Sequence, residues 1–174
     1  DCLITRIQAD YPSALLVHRL DRDTSGVMVF ALSAHAQRHL GLQFEKRQSQ
    51  KTYVARVMGQ VECDEGIIDL PIIVDWPNRP KQKICHDTGR SAVTQWQVIN
   101  RDIKETRLKL KPQTGRSHQL RIHMMEFGHP ILGDPFYGTP ESQTVSRLML
   151  HSHRLRLRHP DGGELIEFRA KIPF

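Results

Sequence analysis

Two apolar periodicities, one of two residues and one of 3.6, run through this chain in an irregular order, and that order limits the folds open to it. Residues 51–58 (KTYVARVM) alternate, with Thr52, Val54 and Arg56 against Tyr53, Ala55 and Val57. Residues 91–100 and 106–111 read as an antiparallel pair, and in the second Arg107, Lys109 and Lys111 alternate with Leu108 and Leu110. Residues 25–32 (SGVMVFAL) predict a buried strand after the short apolar run Leu15-Leu16-Val17, and residues 147–158 and 164–172 predict two late strands. Helical spacing occurs in three places. Leu3, Ile4 and Ile7 form a stripe that ends at Tyr11-Pro12, where proline cannot continue a helix. Ser33 suits the N-cap of a helix over 33–47 carrying Leu40 and Phe44. Thr114–Ser117 turns into about ten helical residues ending at Gly128, with Leu120, Met124 and Phe127 as the apolar stripe. Gly and Pro between 128 and 140 mark a long loop. Strands and helices mixed without βαβ alternation predict an α+β fold: a mainly antiparallel mixed sheet flanked by helices and loops.

At 174 residues the chain predicts a single domain over 1–174, long enough to bury a real core. Its 39% hydrophobic and 25% charged residues exclude a disordered tail, and no apolar run reaches the roughly 18 residues of a membrane helix. Cys2, Cys63 and Cys85 form no CxxC pair, which argues against a disulfide scaffold or zinc ribbon and fits a reducing compartment. With no signal peptide in view, a cytoplasmic protein is expected. Nothing suggests an obligate assembly, so a monomer is expected. The chain starts at Asp1 inside an apparent helix, and we expect it to be trimmed at the N-terminus. Charge is distributed unevenly: residues 1–87 hold 11 basic and 11 acidic side chains, whereas residues 88–174 hold 14 and 8 and carry the whole net +6. That asymmetry suits an anionic partner, with nucleic acid foremost, although a merely soluble basic protein fits it equally well.

No GxGxxG follows a strand and there is no GxxxxGK[ST], GxSxG or HExxH, so nucleotide-cofactor, nucleophile-elbow and metalloprotease chemistries lack their motifs. Among ten histidines, His118 and His123 would diverge by about 500° of helical turn. His151 and His153 share a strand face but have no Cys or carboxylate at ligand spacing, so no metal is expected. Residues 18–26 (HRLDRDTSG) form a charged loop before a buried strand, where Arg19 and Arg22 would keep Asp21 ionised. Taken alone, a structural ion pair explains this loop slightly better than catalysis. Asp21 and Asp23 lie too close in sequence to face each other across a sugar, which weakens a glycosidase reading. In 115–123 (GRSHQLRIH), a helix beginning near Ser117 would put Ser117 and Arg121 on one side. Its free N–H groups, with Arg116 and Arg121, would suit a phosphate.

Together these segments resemble the RluA family of pseudouridine synthases. HRLD at 18–21 with TSG at 24–26, KTYVARV at 51–57, GRSHQLRIHM at 115–124, GHPILGDPFYG at 128–138 and LMLHSHRL at 148–155 are similar to its motifs in order and spacing. The stretch 69–83 (DLPIIVDWPNRPKQK) is most similar to members acting on both 23S ribosomal RNA and transfer RNA. The resemblance implies the pseudouridine synthase fold, with Asp21 as the catalytic carboxylate, Tyr53 stacking on the target uracil, and Arg121 pairing with Asp21. It further implies that Arg19 holds the RNA where the flipped nucleotide leaves, and that Leu120, Leu148 and Leu150 form an apolar wall. Arg22, Arg79, Lys81, Arg116 and His118 are expected RNA contacts. The loop with Trp76, Arg79, Lys81 and Lys83 would reach across an RNA loop, and Lys104, Arg107, Lys109, Lys111, Arg154, Arg156 and Arg158 would track phosphates. The family's N-terminal strand with a Lys-Pro-rich motif has no counterpart here.

The implied isomerisation oxidises nothing and transfers nothing, so no cofactor is expected. Flipping a uracil costs a few kcal/mol, and an aromatic platform worth about 1–3 kcal/mol offsets part of it. Asp21 would either stabilise or trap positive character at C1′ or remove a ribose proton, and Tyr53 or Asp21 would take the C5 proton. The alternatives are a non-catalytic RNA-binding module and, more weakly, a base-removing glycosylase.

Overall fold

The computed structural model describes residues 2–174. The first helix, α1 (Leu3–Asp10), is followed by strand β1 (Leu15–Leu16). The apolar run 25–32 is not one strand. It bends into two short pairings, β2 (Ser25–Gly26) and β3 (Phe30–Ala31), which join different sheets. Helix α2 (Ala34–Glu45) starts where expected: Ser33 is extended, and its hydroxyl accepts the Ala36 N–H, one of the donors a helix start leaves unpaired. Strand β4 (Gln50–Met58) comes next. The middle of the chain has more order than its composition suggests, with β5 (Glu65–Asp69), β6 (Ile72–Val74) and β7 (Gln82–Ile84). Strands β8 (Val93–Arg101) and β9 (Glu105–Pro112) lead to helix α3 (Gln119–Glu126), and β10 (Leu150–Arg158) and β11 (Leu165–Arg169) complete the order.

The main sheet runs β11-β10-β4-β9-β8-β5, with every neighbour antiparallel, and β2 adds to β10 in parallel. This is the expected α+β architecture. The alternation in β9 decides its faces: Leu108 and Leu110 are fully buried, while Arg107 and Lys109 are only partly covered. Burying each leucine contributes about 2–3 kcal/mol. They pack with Ala55, Val57, Trp96, Leu120, Met124 and Leu148 in the largest core cluster, so α3 lies on the sheet through the stripe read from sequence. A second cluster joins α2 to β10 through Leu40, Leu155 and Leu157.

Helix α3 begins at Gln119, two residues later than expected. His118 takes a left-handed conformation (φ 54°), which breaks the helical path before it. That conformation costs roughly 1–2 kcal/mol for a non-glycine residue. It persists because the His118 ring is fixed from outside the helix, as described below.

Candidate active site

A cleft of about 530 Å³ opens between the loop 18–24, the end of α2, the start of β4 and the loop 112–117. The loop 18–24 is held at both ends. His18 stacks on Phe44 of α2 with ring centroids 4.5 Å apart, and its Nε2 accepts the Val29 N–H at 3.0 Å. Burial, reinforced by the Lys51 charge, pushes the His18 pKa down to about 4, so the ring stays a neutral acceptor. At the other end β2 is clipped to β10: Val27 N–H donates to Ser152 O at 2.9 Å, and Ser25 Oγ bonds His151 Nδ1 at 2.8 Å. Gly26 (φ +120°) permits this approach, because a Cβ there would collide with the Ser152 backbone. Between these anchors Thr24 N–H donates to Asp21 O and closes a turn.

Asp21 lines the cleft with its side chain 22% exposed, and its Oδ2 lies 3.9 Å from Nη1 of Arg121. Arg121 itself is 1% exposed, and its closer partner is a carboxylate that sequence reasoning did not single out. Nε and Nη2 donate to Asp134 at 2.7 and 2.6 Å. Asp134 is fully buried, and its Oδ1 also accepts the N–H groups of Phe136 and Tyr137. Burial works against the Arg121 charge, but the Asp134 hydrogen bonds and the two carboxylate fields outweigh it and raise its pKa. The Phe136 and Tyr137 rings lie 5.1 and 5.3 Å from the guanidinium. Tyr137 Oη accepts the Gln82 N–H at 2.7 Å and is hydrogen-bonded to His118 Nδ1 at 2.8 Å. Burial lowers the His118 pKa against the pull of Asp21, which favours the neutral ring. These contacts, with a stack on Phe136, hold His118 in its left-handed conformation.

Tyr53 enters the cleft from β4. Burial pushes its pKa up to about 12; a hydrogen bond with Ser152 pulls it back and the Asp21 charge adds to the rise. Lys51, two residues earlier, lines the same cleft, because alternate residues of a strand share a face. The loop 112–117 is held by Gln119, whose Oε1 accepts from Thr114 Oγ1 and Arg116 N–H while Nε2 donates to Val93 O and Thr94 Oγ1. Thr24 Oγ1, also in the lining, is buried without a hydrogen-bond partner.

Of the residues expected at the site, Arg19, Asp21, Tyr53, Arg116, Leu120 and Leu150 line the cleft, and Arg121 stands behind Asp21. Leu148 belongs to the main core instead. His118 acts through Tyr137 and does not appear in the lining. Arg22 is exposed outside it. Arg79 and Lys81 lie on the connection between β6 and β7, where the Arg79 guanidinium sits 3.2 Å from the centre of the exposed Trp76 ring. His18, Lys51, Gln119, Asp134 and Tyr137 are additions. The signal for the last two was the run GDPFYG, a carboxylate set among aromatics inside a Gly-Pro loop. Among the described residues no three metal-ligating side chains cluster, and no helix is long and apolar enough to cross a membrane.

A partly exposed carboxylate and an aromatic face in a cationic cleft suit a flipped base with its sugar. Comparison with known proteins agrees. Residues 6–126 match the family described as RNA pseudouridylate synthase. The chain is 55% identical over 176 residues to the dual-specificity RNA pseudouridine synthase RluA of Yersinia pestis, covering all of this chain and 85% of that protein. Identity to the protein of the same name from Escherichia coli K12 is 52%, over 80% of that protein. Among solved structures, human RNA pseudouridylate synthase domain containing 1 superposes with a TM-score of 0.88 at 28% identity, covering 99% of this chain and 74% of that one. Human RNA pseudouridylate synthase domain containing 4 gives 0.77 at 26% identity, over 98% and 77%. Sequence identity along the whole chain and a shared fold thus meet on one chemistry, and the chain belongs to the RNA pseudouridylate synthase family, in its RluA branch, as a pseudouridine synthase.

Proposed function

We propose that residues 1–174 work as one catalytic unit that isomerises selected uridines in both 23S ribosomal RNA and transfer RNA, in the cytoplasm and as a monomer. The names of the bacterial relatives, which specify dual specificity, support two RNA substrates. The observation that carries the site assignment is the partly exposed Asp21 carboxylate, 3.9 Å from an arginine already bound to a second carboxylate.

Isomerisation breaks N1–C1′ and forms C5–C1′; C5 loses a proton and N1 gains one. Asp21 acts on the ribose side, with the Arg121 guanidinium 3.9 Å from its Oδ2 and not closed on it as a full hydrogen-bonded pair. Tyr53 supplies the stacking face. Its high pKa keeps the phenol protonated at neutral pH, so the hydroxyl is a donor to the base and Asp21 is the group left to accept the C5 proton. Leu120 and Leu150 give the cleft its apolar wall, and Arg19 and Arg116 meet the RNA backbone. Arg22, Arg79 and Lys81 extend that contact beyond the cleft, and His118 contributes through Tyr137.

Tritium release from RNA labelled at C5 of uridine tests the assignment. Asp21→Asn should cut release by at least about a hundredfold while RNA binding persists. Release near the wild-type rate would remove Asp21 from the chemistry.

A further inference from the structure

We propose that Lys51 is a phosphate-binding residue, its ammonium taking a phosphodiester that flanks the flipped uridine while Tyr53, on the same face of β4, takes the base. This rests on the reading that the cleft receives RNA.

Three features of the structure support it. First, Lys51 and Tyr53 both line the cleft and are two residues apart on one strand, so their Cα atoms lie roughly 6–7 Å apart. One rigid strand therefore presents an aromatic face and a cation at about the scale of one nucleotide. Second, the Lys51 ammonium has no hydrogen-bond or ion-pair partner among the described residues, although it is largely covered and adjoins a second cation. Burial and the neighbouring Arg47 both push its pKa down. A covered charge with no counter-ion is costly to keep. An anion bound there would relieve both the desolvation and the repulsion.

Third, the lining beside the ammonium includes a residue with no side chain: a Cβ at Gly115 would touch Lys51 Nζ at 3.5 Å, and the glycine leaves that position open. The buried Thr24 Oγ1 in the same lining is another polar group without a partner. His18, kept neutral partly by Lys51, and the loop carrying Asp21 line the same cleft. The acids in the lining are Asp21 and Glu45; neither pairs with Lys51, and Asp21 faces Arg121. Lys51 is thus free to bind an incoming phosphate.

A cycle that alters protein and RNA together tests this. Lys51→Met keeps the apolar stem and removes the charge, so folding should survive, with a melting temperature equal to or above that of the wild type. Affinity is measured for a tRNA anticodon stem-loop and for two versions carrying a neutral methylphosphonate immediately 5′ or 3′ of the target uridine. Wild-type enzyme should lose roughly tenfold or more with one neutral linkage. Lys51→Met should show that loss on unmodified RNA and no further loss with the same linkage. Its slope of log affinity against log salt should be shallower by about 0.7, and Lys51→Arg should restore both. Fully additive losses at both flanking positions would overturn the proposal. Tritium release by the wild type on the unmodified stem-loop is recorded alongside. Its absence would count against the reading of the cleft, whereas turnover with an additive cycle would remove Lys51 alone.

Discussion

The paired carboxylates around Arg121 do different work, and burial separates them. Asp134 is fully buried and holds two guanidinium nitrogens at hydrogen-bond distance; Asp21 is partly exposed and meets the third at 3.9 Å. Arg121 is therefore anchored behind the site and leaves the Asp21 oxygens available. Asp134→Asn would keep the shape and remove the charge. Breaking a buried pair in this way costs roughly 3–5 kcal/mol, measurable by urea unfolding. The freed guanidinium should then close on Asp21, so tritium release should fall by more than tenfold even under conditions where the variant is fully folded. A fully folded variant with wild-type release would show that Asp134 has no role in keeping Asp21 free. Asp134 was hard to read from sequence because Gly-Pro loop composition predicts exposure. Its burial depends on Arg121, thirteen residues earlier on another element. Asp21 and Arg121 stood out by charge and placement, but their catalytic roles, and any role for Tyr53, came only through motif resemblance; taken alone, an ion pair explained the Asp21 loop slightly better than catalysis.

At the scale of elements, legibility followed regularity. Strands β4 and β9 are half-buried over their length, so their faces appear as alternation, and both are found where expected. Helix α2 was legible from its cap, which the Ser33 hydroxyl makes. The run 25–32 was misread because continuous apolar sequence does not distinguish one buried strand from two short pairings joined by a bend. The start of α3 was misplaced because the His118 backbone is set by Tyr137, nineteen residues later. The two-residue β2 matters more than its length suggests, since it fixes the loop carrying Asp21 to β10. Gly26→Ala would drive a Cβ into the Ser152 backbone at a φ that L-residues avoid. We expect a loss of about 2 kcal/mol or more in unfolding free energy and much faster exchange of the Val27 amide hydrogen, whose bond to Ser152 O is the clip. Unchanged protection of that amide would show that the pairing tolerates a side chain.

Across the whole molecule, the histidines couple fold to pH in one direction. Burial lowers the pKa of His18 to about 4 and also depresses those of His118, His123 and His151. The unfolded chain takes up a proton at His18 near pH 6.5, whereas the folded chain resists until about pH 4. Stability present above pH 6.5 should therefore fall as pH drops towards 4, by at most about 3 kcal/mol for His18, with the other three adding in the same sense. Urea unfolding at pH 7.5, 6 and 5 measures the slope, and His18→Gln should flatten it. An unchanged slope in that variant would place the effect elsewhere. The sheet also brings distant parts of the chain together. Ser25 pairs beside His151, and Tyr53 lies opposite Ser152. During synthesis the Asp21 loop and Tyr53 leave the ribosome early, but the strand that organises them comes almost a hundred residues after Tyr53. Until β10 emerges, a nascent chain has the chemistry without the site, so it cannot modify RNA before that strand is made.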